Sequence, residues 1–393
     1  MRVAIVTETF LPKMDGIVRM LTELLGYLRH QGHEALVIAP GSGPAEHDGF
    51  PVRRIRGVRW HVYPGLTLAS PAPRQLATAL RGWQPDIVHL AGPVLLGTQA
   101  ALAARALGLP LAAHFQTDLA NYATWHGVPF LRRVAWSYLR TVHRLSDRTY
   151  CPTPSVRRQL QGEGFRDLAL CGRGVDTVQF HPSRRSDALR AELLGPEVDP
   201  DTPILAYVGR LSPEKNLEAL VAVARARPDL PLLIVGDGPA RPWLRQMLAG
   251  TLAHFTGELR GDALATAYAS ADLLACTSLT ETFCQVAQEA MASGLPVLGF
   301  RAGGVQAVVP HAEAGLLCPP GDDARWLAAI DQLTGDRSLR RTYATRARTI
   351  AEGRTWDNVF DRLLGEYDEI AHAARGAKIR VPGSRIKVGR LEG

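Results

Sequence analysis

Two glutamates, Glu281 and Glu289, stand with seven residues between them in the stretch Thr280–Ala290. The first falls in a loop after a short apolar run. The second lies two turns into the helix that follows. The opening turn of a helix presents free N–H groups and a positive dipole end, a seat for phosphate or sugar hydroxyls. A carboxylate ahead of it can accept hydrogen bonds from a sugar, and one inside it can hold a ribose diol. Two solvated helix-surface glutamates are the plain alternative. The flanks argue against it: Thr282, Phe283, Cys284 and Gln285 line the entry, and Ala290-Met291-Ala292-Ser293-Gly294-Leu295-Pro296-Val297 follows.

A second cluster is Val208-Gly209-Arg210-Leu211-Ser212-Pro213-Glu214-Lys215-Asn216. A strand ends at Gly209, and two cations follow in the loop before a helix. Arg supplies a planar fork and Lys a point charge, which together suit a diphosphate. Surface salt bridges are the alternative use of such residues. A third is Asp15-Gly16, opening the first helix, where a missing side chain lets a ligand reach the backbone; a simple turn would look the same. A fourth is His114-Phe115-Gln116-Thr117-Asp118, polar groups at the carboxyl end of a strand, where α/β sheets place their ligands, or else a structural polar cluster. Gly257, in His254–Leu259, falls where a base would be read through backbone groups.

The elements that position these groups alternate. Apolar runs at Val3–Thr7, Glu34–Ala39, Asp86–Leu90 and Leu109–His114 are predicted strands. Helical spacing covers Arg19–Gln31 and Gly97–Leu107. The pattern restarts at Ile204–Val208, with strands at Leu232–Val235, Leu273–Cys276 and Pro296–Gly299 and helices at Asn216–Arg227, Arg241–Leu248, Leu264–Ser270 and Gln285–Ser293. Strand–helix alternation implies parallel sheets covered on both faces. A chain of 393 residues exceeds one ordinary core. The expectation is two Rossmann-like doubly wound α/β domains facing each other across a cleft that holds the active site. The boundary falls in the proline-bearing stretch Val175–Pro203. Residues 1–180 form the first domain, joined by the C-terminal segment, about 372–393; residues 181–371 form the second. The last helix is predicted over Trp356–Ala374, and the Gly-rich basic tail is expected to be extended or disordered.

Composition narrows the class. With 46% hydrophobic and 21% charged residues the chain is globular. Its five cysteines have no metal or disulfide spacing and are expected as buried free thiols, as in a reducing compartment. No apolar run spans a bilayer and no signal-peptide pattern opens the chain, so a cytoplasmic protein is expected. The net charge of +7 is uneven: residues 1–190 carry 23 Lys and Arg against 13 Asp and Glu. An anionic partner fits that excess, as does a merely solvated basic surface. No nucleic acid is expected, because no helix-turn-helix or finger motif accompanies the charge. The segment Pro129–Arg148 sets Arg132, Arg133, Arg140, Arg144 and Arg148 beside Phe130, Leu131, Val134, Trp136, Tyr138 and Leu139. It reads as a face for anionic membrane or as an amphipathic packing helix.

From ETFLPKMDGIV through HFQTD, GRGVDTVQFHP, YVGRLSPEKN and VGDGP to the paired-glutamate block, the chain resembles glycosyltransferase family 4, of the GT-B fold. Within that family, QTDLANYA, GRGVD and TETFCQVAQEAMASGLPV are most similar to GDP-mannose-dependent α-mannosyltransferases and sulfoquinovosyltransferase-like glycolipid enzymes. The resemblance implies a retaining hexosyltransferase that moves mannose or glucose from a nucleotide-sugar to a lipid or glycan acceptor, with GDP-mannose favoured, UDP-glucose next and no required metal. It assigns Arg210 and Lys215 to the donor diphosphate, Glu281 to the donor sugar together with backbone N–H groups of Phe283–Gln285, Glu289 to the ribose and Gly16 to the donor phosphates. Gln116 stands where many relatives carry a histidine of a His-Thr-Asp-like stretch, with Asp118 beside it. Cys284 stands where relatives often have glycine, which is compatible with a backbone contact if its φ stays negative. A soluble synthase acting on a small sugar, and a nucleotide-sugar epimerase of the same fold, are the competing readings.

Overall fold

The computed structural model describes residues 1–59, 67–116, 131–195 and 198–379; the side chains of residues 59, 131 and 377–379 are not described. The chain forms two compact units. The first comprises Met1–Tyr150, Glu163–Ala169 and the chain from Phe360 onward; the second comprises Cys151–Gly162 and Leu170–Val359.

The first unit is built on an eight-stranded sheet. Its strands are β1 (Arg2–Thr7), β2 (Glu34–Pro40), β3 (Glu46–His47), β4 (Phe50–Ile55), β7 (Ile87–Ala91), β8 (Leu111–His114), β9 (Arg148–Cys151) and β10 (Leu168–Leu170). A separate antiparallel pair is β5 (Gly57–Arg59) with β6 (Thr67–Ala69). The order β10-β9-β8-β7-β1-β2-β4-β3 puts β1 between β2 and β7, both parallel to it. Val3, Ala4, Ile5 and Val6 are buried, so β1 is apolar on both faces, as a strand covered on two sides must be. Helices Gly16–His30, Pro73–Trp83 and Leu96–Ala106 provide the cover. In the first of these, Val18, Met20, Leu21, Leu24, Leu25 and Leu28 turn inward while Asp15 caps the start.

The second unit holds six strands: β11 (Leu205–Val208), β12 (Leu232–Val235), β13 (Ala253–Gly257), β14 (Leu273–Cys276), β15 (Val297–Phe300) and β16 (Gly315–Cys318). Their order is β13-β12-β11-β14-β15-β16, all parallel. Both sheets are doubly wound. In each, the order reverses beside the first strand, between β1 and β7 and between β11 and β14. Such a point opens a crevice at the strand carboxyl ends.

The proline-bearing stretch that reads as a linker is largely structured. It holds the 3₁₀ turn Pro182–Arg184 and the helix Asp187–Leu194. Arg190, buried on that helix, donates to Asp272, to the carbonyl of Ser270 and to those of Pro200 and Thr202 at 2.7–2.9 Å. One guanidinium thereby fastens the segment to the second sheet. The last helix runs Trp356–Ile379, longer than expected. The five cysteines are buried free thiols.

Candidate active site

The second switch point gathers the sharpest motifs. Gly209 follows β11, its N–H bonded to the carbonyl of Val235, and Arg210 comes next, exposed. The chain then forms a 3₁₀ turn over Pro213–Lys215, closed by Asn216 in the left-handed region at φ 52°. Thr277, just beyond β14, donates its hydroxyl to the carbonyl of Lys215 at 2.6 Å, and Asn216 donates back to the carbonyl of Thr277 at 3.2 Å. These two bonds tie the loops after the flanking strands together. As a result Lys215 Nζ lies 2.5 Å from Glu281 Oε1, with both side chains about three-quarters buried. A cation and an anion in contact, each about a quarter exposed, can exchange partners with a charged ligand.

Glu281 leads into the helix Gln285–Ala292. Its loop is held by glycines that the motif reading passed over. A Cβ on Gly303 would come within 2.6 Å of the Glu281 carbonyl oxygen, and one on Gly304 within 2.3 Å of that of Phe283. The N–H of Gly304 donates to the Glu281 carbonyl at 2.5 Å. The signal available for this was the Gly303-Gly304 pair, with two residues between it and the strand that ends at Phe300. Phe283 is buried, and Thr282 is partly exposed.

Cys284 is the N-cap residue, with φ 79° and ψ 66°, and no side chain caps the helix. The negative φ expected for a cysteine at this position is therefore not adopted. The backbone is in the region that favours glycine. The Cys284 sulfur instead packs 3.8 Å from that of Cys276 in the core. Gln285 donates to the carbonyl of Gly174 at 2.9 Å and Gln288 to that of Arg173 at 2.6 Å. These bonds fix the segment Gly172–Val175 against the helix. Glu289 is 2% exposed and accepts from the Tyr268 hydroxyl at 3.1 Å. It is no solvated surface glutamate. Gly257 ends β13, the neighbour of β12, with its carbonyl taking the Gly236 N–H at 2.7 Å.

The first switch point is filled differently. Gly16 is the first residue of its helix, and Asp15 accepts from the N–H groups of Ile17 and Val18 at 3.0 Å. Lys13 lies 3.3 Å from the same carboxylate. Glu8, the first residue of ETFLPKMDGIV and without an assigned role there, crosses to the neighbouring helix and accepts from Val94 and Gly97 at 3.0 and 2.9 Å. Burial pushes its carboxyl above the usual carboxylate range, against those N–H bonds. Gln116 follows β8, is buried, and directs its amide to the sulfur of Met20 at 3.3 Å. Asp118 lies outside the described residues.

Behind Gln116, His114 Nδ1 meets His89 Nε2 at 2.9 Å, and Tyr367 on the last helix meets His89 Nδ1 at 2.7 Å. Burial lowers His89 to about 3, so it stays neutral.

In the basic segment, the helix covers Leu131–His143. Trp136, Leu139 and Val142 are buried, with the Trp136 ring stacked on Phe115 at 6.1 Å. Arg148 pairs with Glu366 and Glu369, and Arg140 donates to the carbonyl of Glu163. Arg132, Arg133, Val134, Tyr138 and Arg144 are exposed; Phe130 lies outside the described residues. No helix among the described residues is long and apolar enough to cross a membrane.

Comparison with known proteins accounts for this arrangement. The family profile described as Glycosyltransferase Family 4 matches residues 14–179, and that described as Glycosyl transferases group 1 matches residues 195–350. The chain is 44% identical over 378 residues to a GDP-mannose-dependent alpha-mannosyltransferase of Mycolicibacterium smegmatis, covering 94% of this chain and 98% of that one. It is 31% identical to sulfoquinovosyl transferase SQD2 of Arabidopsis thaliana, covering 94% and 74%. Among solved structures, Anabaena HepE in complex with UDP superposes with a TM-score of 0.77 at 20% identity, covering 94% of this chain and all of that one. With two doubly wound domains of the GT-B type and these relatives across nearly its whole length, the chain belongs to glycosyltransferase family 4 and is a hexosyltransferase enzyme.

Proposed function

We propose that the protein transfers mannose from GDP-mannose to a hydroxyl of a lipid or glycan acceptor, with retention of anomeric configuration, in the synthesis of a membrane glycolipid. The observation that carries this reading is the Lys215–Glu281 pair at 2.5 Å, set beside Arg210 and a helix start without a side-chain cap. The names of the relatives support GDP-mannose as donor. In this reading residues 181–371 are the nucleotide-sugar domain and residues 1–180, with the C-terminal segment, the acceptor side.

Arg210 and Lys215 bind the diphosphate and neutralise the charge that develops as it leaves. Glu281 turns from Lys215 to the sugar hydroxyls, with the backbone N–H groups of Phe283–Gln285 beside it, and Glu289 holds the ribose. Gly257 borders the base, Gly16 admits the donor phosphates, and Gln116 with Asp118 serves the acceptor. Among the described residues no carboxylate is assigned as a nucleophile, and in this reading substitution proceeds on one face. The acceptor oxygen bonds to the anomeric carbon as the carbon–phosphate oxygen bond breaks, and the acceptor proton passes to the departing phosphate. The two cations and the helix start do this without a metal.

The exposed Arg132, Arg133 and Arg144 with Val134 and Tyr138 support peripheral docking at the anionic inner face of the plasma membrane. Sedimentation with anionic vesicles that weakens with added salt is the expected result; binding indifferent to charge and salt refutes it. For the donor, thermal-shift comparison of GDP, UDP and ADP is the test. GDP is expected to stabilise most, and a larger shift with UDP overturns GDP-mannose.

A further inference from the structure

The paired-glutamate motif names Glu289 but says nothing of what holds it. A glutamate has three rotatable side-chain bonds, and a buried carboxylate without a defined donor samples several rotamers or takes up a proton. Tyr268 supplies such a donor: it lies on the helix Gly261–Ser270, fully buried, with its hydroxyl 3.1 Å from Glu289 Oε2. The tyrosine is fixed in turn: Phe180, itself buried, sets its ring against the Tyr268 ring at 5.7 Å with planes 82° apart, an edge-on packing. Burial, with the adjacent Glu289 charge, holds the Tyr268 phenol well above its usual range, so it remains a donor at any working pH. An ionised carboxylate offers about four acceptor positions, of which the Tyr268 hydroxyl takes one.

We propose that Tyr268 is a positioning residue for donor recognition: its hydroxyl fixes the Glu289 carboxylate in the orientation that reads the two ribose hydroxyls of the nucleotide. The proposal rests on the reading that Glu289 holds the donor ribose. It adds a specificity element that lies 21 residues upstream of Glu289 and touches no ligand itself.

The test uses the full chain and three competitive inhibitors: GDP, its 2′-deoxy and 3′-deoxy forms. Inorganic pyrophosphate serves as the probe that has no ribose. In the unaltered protein each missing hydroxyl is expected to weaken inhibition by about tenfold or more, as sites built to bond a hydroxyl reject analogues that lack it. Glu289→Gln should remove most of that penalty. Tyr268→Phe, which keeps the ring, should raise the donor KM by about 3–10-fold with kcat little changed, and should shrink the deoxy penalty to about half its logarithm or less. Pyrophosphate inhibition should be the same in Tyr268→Phe as in the unaltered protein.

A full deoxy penalty in Tyr268→Phe overturns the proposal. So does a parallel loss of pyrophosphate affinity, which marks general damage to the domain. Equal binding of GDP and its deoxy forms to the unaltered protein instead overturns the ribose reading beneath it.

Discussion

At the first switch point, the helices that follow β1 and β7 each receive a carboxylate from the protein itself. Asp15 binds the N–H groups of one and Glu8 those of the other. At the second, the helix Glu218–Ala226 after β11 and the helix Gln285–Ala292 after β14 have no side-chain cap, and a lysine and an arginine stand nearby. The two sheets share the same doubly wound order, so topology does not distinguish them. The difference lies in which side chains answer the exposed N–H groups. Where the chain supplies its own anion, the crevice is stabilised as structure. In our proposal the helix starts left without a side-chain cap, beside Arg210 and the Lys215–Glu281 pair, receive an anionic ligand. This contrast is what assigns the nucleotide-sugar to the second domain in our proposal.

The contrast can be broken most directly at the cations. Arg210→Ala and Lys215→Ala should each lower turnover about 10²–10³-fold, measured as release of nucleoside diphosphate; rates close to normal would mean that the second crevice does not stabilise the leaving group.

A second difference is titratable. The first domain buries His89 and His143, lowered by burial to about 3 and about 4. Both bind a proton in the unfolded chain below about pH 6.5 but not in the folded one. Their stabilising contribution is therefore complete above that pH and is lost as pH falls. With two such groups the slope reaches about 2.7 kcal/mol per pH unit between roughly pH 6 and 4. Urea unfolding at pH 7 and 5, read through hydrogen exchange in β7 and β8, measures it; a flat profile would be the contrary result.

Asp15→Ala should cost about 1 kcal/mol, the usual worth of a helix cap, and should loosen exchange in Gly16–His30. Stability unaffected by the change would show that Asp15 does not anchor the first crevice. The smallest effect is expected at Cys284. With φ at 79°, Cys284→Gly should be more stable than Cys284→Ala by about 1 kcal/mol in thermal unfolding; the reverse order would show that this turn carries no left-handed strain.

Much of the second domain was legible. The strands Leu232–Val235 and Leu273–Cys276 were read to the residue, and β11 and β15 within one, because parallel buried strands are short apolar runs closed by glycine or polar turns. In the first domain β4, β9 and β10 went unread: Phe50–Ile55 carries Arg53 and Arg54 among its apolar residues, and Leu168–Leu170 is too short to show a period. The helices Asp323–Gly335 and Arg337–Glu352 also went unread, the second being strongly polar with buried residues only at Tyr343, Ala347 and Ala351. Of the site, Arg210, Lys215, Glu281 and Glu289 were found by type and spacing. Tyr268, Thr277 and Gly303 were not, since each acts on a partner at least 21 residues away and none sits in a motif; Glu8 opens the first quoted motif, but its partners lie 86 and 89 residues along the chain.

By itself the sequence determined the alternation of strands and helices, the repeat of that pattern in two halves, and the order of the charged motifs along the chain. These depend on local hydrophobic periodicity and on residue type. Only the tertiary structure decided that Lys215 and Glu281 touch, that Glu289 is buried under Tyr268, and that Cys284 adopts a left-handed backbone. Those outcomes follow from parallel pairing, which brings the ends of β11 and β14 together across 64 residues of intervening chain, a distance over which local pattern carries no information.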